Sequence, residues 1–160
     1  MKGMLVFYPE KCSGCNICST VCSAYHLGVV NPDRSRIRVL RKEQENLDVV
    51  NVCVQCEEKF CIQACPFDAL SVNPETGATV VDHEKCTRCR LCIKACPYNG
   101  IILDPMLNQI TICDLCDGDP QCAKYCPTEA IQFVHPLASK VAHEQNRTII
   151  TLTKEIIEDP

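Results

Sequence analysis

The chain has 160 residues, a formal net charge of −4 and 46% apolar residues, a share that counts sixteen cysteines beside only four Phe, four Tyr and no Trp. Without the cysteines the apolar share falls to roughly 36%, too thin for a self-sufficient hydrophobic core, so something other than apolar burial must supply stability. The acidic balance argues against nucleic acid as a ligand, and no stretch approaches the roughly 20 apolar residues of a membrane span.

In chain order, residues 1–9 hold an apolar run too short for a signal peptide and no twin arginine. They predict a cytoplasmic protein, although export while folded onto a leader-bearing partner would leave the same signature. Residues 4–8 read as a strand, followed by a first cysteine group, Cys12, Cys15, Cys18 and Cys22. Residues 34–42 alternate arginine with apolar residues, which predicts a half-buried strand with its positive side outward. Such a strand is either a solvated edge or a docking stripe for an acidic partner subunit.

A second group, Cys53, Cys56, Cys61 and Cys65, precedes residues 69–72, 73–77 and 78–82, which read as strand, turn and strand. The third group is Cys86, Cys89, Cys92 and Cys96, and the fourth is Cys113, Cys116, Cys122 and Cys126. Residues 130–134 form a last predicted strand. Residues 136–160 lack cysteine and are expected to form an arm packed on the domain or on a partner. His26, His83, His135 and His143 are scattered, so each is expected at the surface or at a helix cap.

Four groups of four, each headed by Cys-x-x-Cys, point to four 4Fe-4S clusters. A disulfide framework has no reason to repeat that pair four times, and zinc does not explain the third and fourth cysteine of each group. Haem attachment would need a histidine after the pair, and none follows. The third group matches Cys-x2-Cys-x2-Cys-x3-Cys-Pro at every position. In that motif three cysteines curl a loop around one cluster, with backbone N–H groups aimed at the sulfurs. The fourth is expected on the following helix, reaching a neighbouring cluster, with the proline at a helix start. Groups two and four carry longer loops, and Ser23 stands where group one would have proline. Four sites of charge −2 would bring the loaded protein to about −12. The chain without metal is expected to be largely unfolded.

The hairpin between groups two and three has the pattern of a bacterial two-cluster ferredoxin. The expected fold is α+β: two such ferredoxin modules, one inserted in the other, with short strands and helices around the clusters. Residues 1–50 and 104–135 form the outer module (groups one and four), 51–103 the inserted inner module (groups two and three), and 136–160 the arm. Cross-ligation predicts the sets Cys53, Cys56, Cys61 with Cys96; Cys86, Cys89, Cys92 with Cys65; Cys12, Cys15, Cys18 with Cys126; and Cys113, Cys116, Cys122 with Cys22. Lys85, Arg88, Arg90 and Lys94 surround group three, while Asp114, Asp117 and Asp119 surround group four. That contrast predicts a higher reduction potential for the Cys86 cluster.

Over residues 1–135 the chain resembles the four-cluster iron-sulfur subunits of molybdenum and tungsten oxidoreductases, the dimethyl sulfoxide reductase iron-sulfur subunit family. The likeness is carried by the order of the groups and by residues 12–15 (CSGC), 52–57 (VCVQCE) and 113–120 (CDLCDGDP). Retention of Cys89, which some members replace with tryptophan, implies four complete clusters. With sixteen residues between Cys96 and Cys113, the chain is similar to the small subunit that accompanies tungsten-dependent aldehyde oxidoreductases. The resemblance implies a non-catalytic electron-transfer subunit. Its partners would be a large tungsten or molybdenum pterin catalytic subunit and a ferredoxin, flavoprotein or NAD-binding acceptor. An electron-transfer subunit of a formate dehydrogenase or hydrogenase complex, or a free polyferredoxin, are the alternatives. No dinucleotide fingerprint, P-loop or radical-SAM spacing points to a substrate site on this chain.

Overall fold

The computed structural model describes residues 3–43 and 46–134, together with Thr151, Thr153 and Ile156. The chain runs β1 (Met4–Phe7), α1 (Ile17–Leu27), β2 (Arg38–Lys42), β3 (Leu47–Asn51), α2 (Phe60–Gln63), β4 (Leu70–Val72), β5 (Thr79–Val81), α3 (Leu91–Ala95), β6 (Ile101–Leu103), β7 (Ile110–Ile112), α4 (Gln121–Lys124) and β8 (Ile131–Val134). Among the described residues the strands form four two-stranded antiparallel sheets. β4 and β5 make the hairpin expected between groups two and three, with Leu70 opposite Val81. β1 pairs with β8 from Met4↔Val134 to Phe7↔Ile131, bringing the strand before group one beside the strand after group four.

Helix length follows from one residue. Cys65, Cys96 and Cys126 each precede a proline, which disfavours helical backbone at the residue before it, and α2, α3 and α4 end after four or five residues. Cys96 itself is extended, with φ −80° and ψ 109°. Cys22 is followed by Ser23, and α1 runs on for eleven residues until Gly28 closes it at φ 68°. Two expectations are thereby corrected: the proline ends a helix instead of opening one, and of the fourth cysteines only Cys22 lies within its helix. Ser23 contributes further, donating to the Thr20 carbonyl and accepting from the Asn31 N–H.

The cysteines are themselves core. Seven of them, Cys18, Cys22, Cys61, Cys92, Cys113, Cys116 and Cys122, stand among the buried apolar residues. One buried cluster joins Leu5, Phe7, Ile37, Val49 and Ile131 to Cys18, Cys22, Cys113 and Cys122; a second joins Leu70, Ile101, Ile110 and Ile112 to Cys61 and Cys92. Half-buried Cys53 packs against both. Of the C-terminal stretch, Thr153 is buried and Ile156 packs on the first cluster. The rest of the predicted arm, with His135 and His143, lies outside the described residues.

The arginine-rich stretch departs from expectation. β2 begins only at Arg38, and the two arginines before it turn to acidic partners. Arg34 Nε donates to Asp104 Oδ2 at 2.9 Å, and Arg36 Nη1 lies 2.5 Å from Asp114 Oδ2. Opposite charges held near the core outweigh strand alternation here, so the outward stripe is reduced to Arg38 and Arg41.

Candidate metal centres

In all four groups the third cysteine is the second residue of a helix: Cys18 in α1, Cys61 in α2, Cys92 in α3 and Cys122 in α4. There the N–H of the next residue, Ser19, Ile62, Ile93 or Ala123, donates to its sulfur. The first cysteine is served from two residues on: the N–H groups of Gly14, Gln55 and Leu115 donate to Cys12, Cys53 and Cys113. Those donors hold left-handed backbone, φ 64°, 52° and 61°, and Arg88 occupies the same place in group three at 63°. Successive N–H groups turned inward by such residues make a concavity for anions, here the sulfurs. Cys126, beyond α4, gathers N–H bonds from Ile131, Thr128 and Ala130, which outweigh its burial and lower its pKa.

Three cavities are lined by four cysteines each: Cys65, Cys86, Cys89, Cys92; Cys12, Cys15, Cys18, Cys126; and Cys53, Cys56, Cys61, Cys96. The remaining four also converge. Cys22 lies close enough to Cys113, Cys116 and Cys122 to raise the pKa of each. The tertiary structure thus brings together the four sets that cross-ligation predicts.

The thiols fit a metal cluster on chemical grounds. Burial pushes Cys18, Cys92 and Cys116 up to about 11 and Cys53 to about 12, and pushes Cys113 and Cys122 up as well, with neighbouring cysteines adding to the rise. Sixteen free thiols converging in fours would be costly to ionise unless iron took up their charge.

Shared and neighbouring cysteines link the four sites in the order one, four, two, three. Cys65 and Cys96 are exchanged between the group-two and group-three sites, and Cys22 and Cys126 between the group-one and group-four sites. The two pairs meet where Cys53 approaches Cys113 closely enough to raise its pKa. Gln55 closes that junction: its Nε2 donates to the Cys113 carbonyl at 2.5 Å, and its Oε1 accepts from the Thr79 N–H at 2.9 Å. At the outer ends Cys15 and Cys89 are exposed, whereas Cys56 is half-buried and Cys116 buried.

His26, expected at the surface or at a helix cap, is half-buried beside group four. Its Nε2 lies 3.7 Å from Cys116 Sγ and 3.5 Å from Asp114 Oδ1. Burial, then the Arg36 guanidinium, lowers its pKa against the pull of Asp114. One sequence signal could have found it: His26 stands four residues after Cys22 on α1, hence on the same helix face. The Arg36–Asp114 pair and the exposed Lys124–Asp119 pair also offset acidic charge that the sequence assigns to group four. The electrostatic contrast with group three is therefore smaller than the sequence suggests.

A family model described as a 4Fe-4S dicluster domain matches residues 45–136, and one described as a 4Fe-4S binding domain matches residues 9–25. The chain belongs to the 4Fe-4S dicluster domain family. Members of this kind are small mixed helix and strand, ferredoxin-like domains, and with sixteen cysteines in four sets this dicluster-domain protein carries four 4Fe-4S clusters. It is 43% identical over 122 residues to the aliphatic sulfonate oxidoreductase, polyferredoxin-like subunit, of Pyrococcus furiosus, covering 76% of this chain and 70% of that one. It is 35% identical over 132 residues to the beta subunit of NADH-dependent phenylglyoxylate dehydrogenase of Aromatoleum evansii, covering 81% of this chain but 30% of the relative. A chain of the active-site complex of benzoyl coenzyme A reductase matches it in structure with a TM-score of 0.50 at 22% identity, over 96% of this chain and 98% of that one, a likeness of fold alone. Among the described residues no helix is long and apolar enough to cross a membrane.

Proposed function

We propose that this dicluster-domain protein is the electron-transfer subunit of a cytoplasmic oxidoreductase whose catalytic partner is a large tungsten or molybdenum pterin protein acting on aldehydes. At the coarser level it is an iron-sulfur electron-transfer subunit of an oxidoreductase complex and, like its relatives, works beside a catalytic partner. The observation that carries the electron-transfer reading is the linked series of four cysteine sites, with an exposed cysteine in each of its two terminal sites. The sixteen cysteines would hold the clusters in the four cross-ligated sets, in two nested modules with boundaries near residues 51 and 103.

When bound, the clusters accept and release single electrons. The chain's own residues do the rest. The thiolates fix the clusters in place, and the inward N–H groups of Gly14, Gln55 and Leu115 offset negative charge on the sulfurs. Ile101 and Leu70 line inner cavities with hydrocarbon and keep water from them. Gln55 ties the group-two loop to the backbone of Cys113 and so holds the two halves of the series at a constant separation. A ferredoxin, flavoprotein or NAD-linked protein would receive the electrons.

A second reading, an aliphatic sulfonate as the partner's substrate, is favoured by the 43% identity to the subunit so named. Anaerobic tagged purification from the native host, with identification of accompanying chains and metals, tests both. A large pterin protein with tungsten or molybdenum that oxidises aldehydes supports the first reading, and one that turns over only sulfonates establishes the second. A formate dehydrogenase or hydrogenase chain, or an isolated brown protein with about sixteen irons, would overturn both.

A further inference from the structure

The two exposed ends of the series are built differently. Around Cys15 the loop carries Ser13, Gly14, Asn16 and Ile17, none of them charged. Around Cys89 it carries Arg88 and Arg90, both exposed, with Lys94 exposed one helical turn beyond Arg90. Phe67 and Leu91 lie alongside, 45% and 43% exposed. Lys85 is answered by Asp82 at 3.4 Å, but among the described residues neither arginine nor Lys94 has an acidic partner. Glu84 and Asp68 flank this face in sequence without bonding to it.

The backbone sharpens the contrast. Arg88 and Arg90 hold φ of 63° and 64°, and the corresponding positions around Cys15 are Gly14 at 64° and Asn16 at 58°. Glycine and asparagine accept left-handed backbone readily; arginine does so at a cost. Group three therefore places two guanidinium groups where local structure disfavours them, and no internal partner offsets that cost. The left-handed backbone itself belongs to the cysteine loop, since Gln55 and Lys59 hold it in group two; there Lys59 is bonded to Gln55, Gly77 and Thr79, so what sets group three apart is unanswered charge.

Resting on the electron-transfer reading above, we infer that the Arg88–Arg90 face around Cys89 is the docking surface for an acidic electron-carrier protein, the diffusible partner of the complex. Unpartnered arginines beside exposed aromatic and aliphatic groups are what interface centres are made of, and charge complementarity speeds brief encounters of this kind. The net acidic charge of the chain disfavours a second copy or an acidic carrier over most of its surface. The Arg88–Arg90 patch and the Arg38–Arg41 stripe are basic exceptions, and only the first lies in the loop of an exposed cysteine. The Cys15 loop carries no basic residue, and the Asp48 carboxylate packs against its Gly14, so it lacks that attraction.

The test uses the full chain with its clusters, prepared without oxygen, and a purified acidic two-cluster ferredoxin as probe. Its binding is measured for the wild type, for R88E/R90E, and for R38E/R41E, which makes the same charge change on the exposed part of β2. The expected result is at least a tenfold loss of affinity for R88E/R90E at roughly 50 mM salt, shrinking toward nothing near 0.5 M, with R38E/R41E close to wild type. Equal losses in both variants, or none in R88E/R90E, would overturn the inference. So would a dimer of the wild-type chain that R88E/R90E abolishes, since that assigns the face to a second copy. Iron content and reversible dye reduction are recorded for each protein. Clusters that assemble and cycle keep the electron-transfer reading intact whatever the binding result, and clusters that do not cycle remove that reading instead.

Discussion

Replacing His26 with leucine is expected to lower the reduction potential of the group-four cluster. Nε2 faces Cys116 Sγ at 3.7 Å and Asp114 Oδ1 at 3.5 Å. A cluster-bound thiolate and a carboxylate can only accept, so Nε2 carries the hydrogen and shares it between them. Reduction adds negative charge to the cluster, and a donor aimed at its sulfur stabilises the reduced form more than the oxidised. The contact is long, shared and aimed at one of several sulfurs, so the difference it makes is at the low end for a hydrogen bond, about 0.5–1 kcal/mol. Since a factor of ten is 1.36 kcal/mol or 59 mV for one electron, removal should lower the potential by about 20–40 mV. His26→Gln keeps an N–H within reach and should recover much of the shift. An EPR-monitored redox titration of the two variants beside wild type measures this. An unchanged potential in His26→Leu, or a rise, would refute the reasoning, as would equal shifts in both variants.

Three further outcomes follow from the geometry. Arg34→Leu strands Asp104, whose side chain is 2% exposed, with only the Met106 and Leu107 N–H groups for company; a loss of about 3 kcal/mol should speed thermal bleaching of the cluster absorbance up to a hundredfold, and Arg34→Leu/Asp104→Leu should recover part of it. Burial alone would raise the Asp104 pKa, but the Leu107 N–H, the Arg34 guanidinium and the Met106 N–H together hold it below the ordinary value. Its contribution is therefore complete above the unfolded value of about 4 and lost only as pH falls through the folded one, so the ratio of bleaching rates should stay flat from about pH 6 to 8. Gln55→Ala leaves the Cys113 carbonyl and the Thr79 N–H without their partner and should cost about 2 kcal/mol while weakening the magnetic coupling between the central clusters; unchanged EPR coupling would mean that Gln55 does not hold the junction. Stripping iron with a chelator should abolish most of the helical and strand circular dichroism, because seven cysteines belong to the buried core, and a retained spectrum would show that the apolar residues suffice without metal.

The cysteine sets that converge were legible because each group is built by local spacing and the groups repeat. Cys-x-x-Cys heads each group, the third cysteine opens a helix, and exchange of the fourth between paired sites brings the expected cysteines into common cavities. The β4–β5 hairpin was legible for the same reason, since residues 73–77 turn the chain within a few positions. The proline after Cys65, Cys96 and Cys126 was visible too, but its effect was misjudged: its influence on the residue before it, which ends the helix, is stronger than its fitness to start another.

What the sequence by itself determined, then, is the number and type of the metal sites and the cysteines that converge on each. Tertiary structure decided how the two pairs of sites adjoin and which sites face solvent. It set Cys53 against Cys113 with Gln55 across the seam, and it left Cys15 and Cys89 at the surface. It turned Arg34 and Arg36 inward to Asp104 and Asp114, and laid His26 beside Cys116. Spacing along the chain encodes contacts a few residues long, whereas these join positions 58 to 90 residues apart. Their partners are chosen by how the packed segments meet, and by the need to answer charge wherever packing has excluded water.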